Sequence, residues 1–61
     1  MSYDWWRAMQ EWVRNIMNSE LAYLVTETGL LTLVRQRKPE LYSDVKANFP
    51  RVWDWIRSKW F

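Results

Sequence analysis

An all-α fold is predicted by three features of the chain. Apolar residues recur at three- and four-residue steps near both ends, through Trp5, Met9, Trp12 and Ile16 and again through Trp53, Ile56 and Trp60. Pro39 and Pro50 each stand where one such run stops and another begins. The two aliphatic stretches in the middle, Leu21–Val25 and Leu30–Val34, do not alternate cleanly between apolar and polar residues. The expected architecture is a compact bundle of three to four short helices. It fills residues 1–61 as one small domain, pairs as a dimer, and packs its N-terminal helix on its C-terminal one.

Residues 3–17 read as the first helix. Trp6 and Val13 flank the Trp5–Met9–Trp12–Ile16 stripe, seven residues apart. Ser2 is placed to cap the helix, Asp4 falls in a first turn that favours negative charge, and Arg7 and Glu11 form an i,i+4 pair on the wet face. Asn18, Ser19 and Glu20 then interrupt the pattern, and Met17, Leu21, Leu24 and Val25 start a rotated stripe. Either the helix continues with a kink or a second helix begins at Asn18 or Ser19. Gly29 suits the position just past a helix end. The rival for 21–34 is a β-hairpin turning through Glu27-Thr28-Gly29, which would make the fold α+β.

Residues 30–38 give a short helix ending in Arg35, Arg37 and Lys38, cations that suit a helix C-terminus. Leu41, Tyr42, Val45 and Phe49 form the next apolar face. Pro50 opens a last helix carrying Trp53, Ile56 and Trp60.

The unusual feature of the composition is its rings: six Trp, three Tyr and two Phe among 61 residues. Each large aromatic side chain buries roughly 150–250 Å², and a chain of this length hides only about 60% of its unfolded surface. Some rings are therefore expected on the surface, where apolar patches mark contact faces. Trp6 and Trp55 lie beside their stripes rather than at the centre, so they are the expected contact residues, with Arg51, Arg57 and Lys59 around them. The other Trp residues are most simply core.

Charge is uneven. Residues 1–31 hold two cations against four anions, and residues 32–61 hold seven against three. Arg35, Arg37, Lys38 and Lys46 are thus candidates for contact with an anion or a nucleic acid, with Trp53 and Trp55 available for stacking. The alternative is that the two halves attract each other.

Catalytic chemistry is poorly provided for. There is no His and no Cys, hence no thiolate ligand, no disulfide and no imidazole base. Ser43 with Lys46, and Glu40 with Asp44, are spacings that any helix offers by chance, and one glycine cannot build a phosphate loop. No metal, cofactor or small-molecule substrate is expected, and the chain is read as a non-enzyme. The longest apolar runs are five residues, against about 20 for a membrane span. Asp4 precedes the first cation, unlike a signal peptide, so a cytoplasmic location is the expectation.

Two short stretches resemble known families. The run from Asn48 through Asp54-Trp55-Ile56 to Trp60 resembles the last helix of aureocin-type leaderless bacteriocins, Trp-rich four-helix peptides that permeabilise membranes. It covers about a fifth of the chain, and it implies a secreted, membrane-active peptide. Those peptides are lysine-rich and strongly cationic, whereas this chain carries seven acids. The run Tyr23-Leu24-Val25-Thr26-Glu27-Thr28-Gly29-Leu30-Leu31 is similar to the wing-to-helix junction of winged-helix DNA-binding regulators, which implies that Thr26 caps the following helix. Only about 20 residues precede it to supply a recognition helix. The chain is assigned to neither family. The expected function is a small regulatory or inhibitory protein that occludes a protein partner, or a second copy of itself, through Trp6, Trp55 and nearby Arg residues. Nucleic-acid binding and membrane activity are the alternatives.

Overall fold

Asp4, the last residue before the first helix, turns its carboxylate back onto the backbone and accepts a hydrogen bond from the Arg7 amide (3.1 Å) in the computed structural model, which describes residues 3–61. That bond satisfies one of the helix's unpaired amides. Ser2, the expected cap, lies outside the described residues, and Asp4 takes this role instead of sitting in the first turn. Helix α1 then runs Trp5–Leu24 and buries Met9, Trp12, Val13, Met17 and Leu24. The buried line passes through Val13 and Met17, so Trp5 and Ile16 lie at its edge, half-buried.

At Glu20 the backbone leaves helical geometry (φ −120°, ψ 17°) and the helix kinks without ending, the first of the two expected outcomes. Ser19 Oγ donates to the Ile16 carbonyl one turn back (3.3 Å), a local bond that bends helices. Beyond the kink Leu24 stays in the core, whereas Leu21 and Val25, expected to share its stripe, are exposed.

The chain reverses at Val25-Thr26, so neither a hairpin nor a helix end at Gly29 is found. Thr26 is extended (φ −126°, ψ 153°), and its hydroxyl accepts from the Gly29 amide at 3.0 Å, capping α2, Glu27–Arg37. Gly29 therefore sits inside the first turn of α2, with negative φ. What selects glycine there is space. A Cβ on Gly29 would lie 2.0 Å from the Tyr23 carbonyl oxygen at the end of α1, closer than two such atoms can stand. The two helices meet backbone to backbone at this corner, with Leu24 and Leu30 fully buried beside it.

Helix α2 buries Leu30, Leu33 and Val34 and carries Arg35 and Arg37 in its last turn. Pro39 begins a 3-10 turn, Pro39–Leu41, that leads directly into α3, Tyr42–Ala47. Asn48 closes α3 by donating both its backbone amide (3.0 Å) and its side-chain amide (2.8 Å) to the Asp44 carbonyl. Helix α4, Phe49–Trp60, has Pro50 in its first turn and buries Val52 and Ile56, with Trp53 and Trp60 half-buried.

All four helices contribute to one apolar cluster. The fold is all-α among the described residues. Its radius of gyration, 10.7 Å, is near the roughly 10.5 Å expected for a compact chain of this length. Of the three ion pairs among the described residues, one joins the acidic and basic halves: Arg37, at the end of α2, reaches Glu20 at the kink (2.9 Å). No helix there is long and apolar enough to cross a membrane.

Candidate interaction surface

Where α1 and α4 meet, their backbones stay apart and the gap is filled by rings. Trp6 and Trp55 stand edge to face with centroids 6.1 Å apart. Trp5 continues the row on α1 (5.5 Å from Trp6) and Trp60 continues it on α4 (5.3 Å from Trp55), both again edge to face. The result is one row of four indoles, Trp5–Trp6–Trp55–Trp60, crossing the seam between the two ends of the chain. Each such pair adds about 0.5–1.5 kcal/mol beyond the area it buries. The expected packing of N-terminal helix on C-terminal helix is realised by these contacts.

Polar groups finish the seam. With its amide oxygen turned toward the rings, Gln10 accepts from Trp55 Nε1 (3.0 Å) and Trp6 Nε1 (3.3 Å), tying the two indoles across the gap. The Arg51 guanidinium lies over the face of Trp6 (4.1 Å to the centroid), and that of Arg14 over Trp55 (5.5 Å). Both guanidinium groups belong to exposed residues, and such contacts contribute about 0.5–1 kcal/mol each.

The expectation of surplus tryptophans standing free on the surface needs correction. Trp12 is buried and the other five are half-buried, Trp6 and Trp55 included. Those two grip each other and show only part of their rings. The most exposed rings are Tyr3 (61%), Tyr23 (59%) and Phe61 (59%). Phe61 ends a second row, on the other flank of α4, in which Phe49 stacks on Trp53 and Trp53 meets Phe61. Leu21 and Val25, past the kink, are exposed as well.

The remaining expected site residues separate into distinct places. Arg51 joins the seam, but Arg57 turns to Asp54 on its own helix (2.9 Å). Lys59 is exposed and is in no ion pair among the described residues. Arg37 is held by Glu20. Arg35 and Lys46 converge instead on Tyr42, with Lys38 half-buried at the end of the same helix as Arg35. Two seam residues escaped sequence reasoning, Gln10 and Arg14. They fall four and eight residues after Trp6, so helical spacing alone would have placed them on its flank.

Among the described residues no cluster of metal-ligating side chains and no ligand-sized cavity is present.

The chain matches no family model, no characterised protein and no solved structure with which it was compared. Its function has to be argued from the seam's own chemistry. That chemistry is a row of partly exposed indoles with exposed cations on their faces, carried on two helices rather than on loops.

Proposed function

We propose that the chain is a small, non-enzymatic regulatory or inhibitory protein that occludes a protein partner through the Trp/Arg seam of α1 and α4. The observation that carries this reading is the pairing of half-exposed Trp6 and Trp55 with the guanidinium groups of Arg51 and Arg14. Trp and Arg are the residue types most enriched among interface hot spots. Here the rings are already fixed by mutual contact and by Gln10, so docking would freeze few side chains. Fixed rotamers lower the entropy cost of association. Arg51 and Arg14 are the adaptable rim, able to leave their rings for carboxylates on a partner. In this reading the helices form a bundle, the bundle pairs as a dimer through the same seam, and the protein works in the cytoplasm.

Light scattering across a wide concentration range tests the self-docking arm. A mass rising above the 7.6 kDa of one chain, and restored to it by Arg51→Glu, is the expected result. A constant 7.6 kDa species removes the dimer and leaves a different protein as the partner. Leakage of dye from anionic vesicles, with a blue shift of Trp emission, would instead favour a membrane-active peptide.

A further inference from the structure

We infer that the corner where α2 meets α3 is a separate binding site for the phosphodiester backbone of a nucleic acid, built from Arg35, Lys38 and Lys46. It is independent of the seam. Arg35 and Lys46 come from different helices yet both lean on one ring: the Arg35 guanidinium carbon is 4.8 Å from the Tyr42 centroid and the Lys46 ammonium 5.8 Å. Arg35 also donates to the Tyr42 hydroxyl at 2.7 Å. Tyr42 thus holds two like charges near each other that would otherwise repel. Lys38 adds a third three residues after Arg35, at the cap of α2.

None of the three has a carboxylate within ion-pair distance among the described residues. Glu40 and Asp44 lie in the same stretch without reaching them, and the only acid engaged at this end of α2 is Glu20, already taken by Arg37. Unneutralised cations held together are a standing electrostatic imbalance that an anion relieves.

The form of the corner selects among anions. No cavity is present there among the described residues, so nothing encloses a single phosphate or a small anionic metabolite. The corner can lie along a polymer whose charges repeat. Arg35 and Lys46 both stand at the Tyr42 ring and all three cations are suited to phosphates, so the contact is to backbone and independent of sequence.

Counterion release makes this quantitative. Three phosphate contacts on a single strand give a log–log slope of affinity against salt of about −2, a loss of roughly 20-fold between about 50 and 200 mM. The test is anisotropy of a fluorescein-labelled oligothymidylate titrated with the full chain over that salt range. Arg35→Gln combined with Lys46→Gln should reduce the loss to roughly threefold. Arg35→Lys, which keeps the charge, should retain most of the slope, and Arg7→Gln, at the far end of α1, should leave it unchanged. The inference is overturned if the oligonucleotide does not bind at low salt. It is equally overturned if the double variant keeps the wild-type slope, or if phosphatidylserine vesicles are bound through these residues while the oligonucleotide is not.

Discussion

Replacing Gly29 by alanine should unfold this protein at temperatures where the parent is stable, the reverse of what the same change does in an ordinary helix. Inside an exposed helix, alanine is favoured over glycine by about 1 kcal/mol. Here the added Cβ would stand 2.0 Å from the Tyr23 carbonyl oxygen and 2.9 Å from both the Tyr23 carbonyl carbon and Thr26 Oγ1. The first obstacle is backbone, so α1 and α2 must separate by more than 1 Å or so to reach ordinary contact. Overpacking of this kind costs about 1–3 kcal/mol. The third obstacle is the capping hydroxyl of α2, whose loss costs about 1 kcal/mol more. Set against the gain in propensity, the net is about 2 kcal/mol. A 61-residue chain has a total stability on the order of 3–9 kcal/mol, and the corresponding drop in melting temperature is roughly 8–16 °C. Far-UV circular dichroism on heating measures it, with Thr28→Ala, exposed in the same turn, as the neutral control. A Gly29→Ala chain as stable as its parent, or more so, would show that α1 does not approach α2 as described.

Three further outcomes follow from individual contacts. Asp4→Ala removes the cap of α1 and should cost about 1 kcal/mol in a chemical-denaturation midpoint, whereas Asp4→Asn, which can still accept from the Arg7 amide, should cost less. Leu41→Ala opens a void at a fully buried position between the 3-10 turn and the core and should cost about 2–5 kcal/mol, close to the whole stability. Arg37→Ala breaks its ion pair with Glu20, but Arg37 is half exposed, so water offsets most of the loss and the change should stay under about 1 kcal/mol, shrinking further in high salt.

Much of the fold is legible in the residues because its signals are local. The helical spacing of Met9, Trp12 and Val13 and the paired devices of Pro39 and Pro50 appear in the structure where the pattern puts them. The middle is harder for a physical reason. Gly29 is commonest past a helix end, and nothing local says that a carbonyl six residues earlier will come so close that only glycine fits. Thr26 was the better guide, since an extended Thr that caps the next helix requires only its neighbours. Asn18-Ser19-Glu20 signals the kink at Glu20 but not its effect: Leu21 and Val25, which periodicity places with Leu24, are exposed.

The candidate surface divides in the same way. Trp6 and Trp55 flank their stripes in the sequence, and flanking positions on two helices that pack together meet at a seam. That explains why the pair is half-buried rather than free. Which cation each ring recruits was not readable, because Arg51 with Trp6 and Arg14 with Trp55 are contacts between distant parts of the chain. Arg57 had an acid three residues away on its own helix, and the local pair won.

The claim that the indole seam is a docking face is tested most directly by placing a photo-activated crosslinker at position 51 and, separately, at position 28, in cells that naturally make the protein. Position 28 lies beyond the far end of α1, some 20 Å along the helix from Gln10. Irradiation should give a discrete protein adduct from position 51 and none from position 28. Adducts from position 28 alone would move the contact to the start of α2, and silence at position 51 would contradict the account.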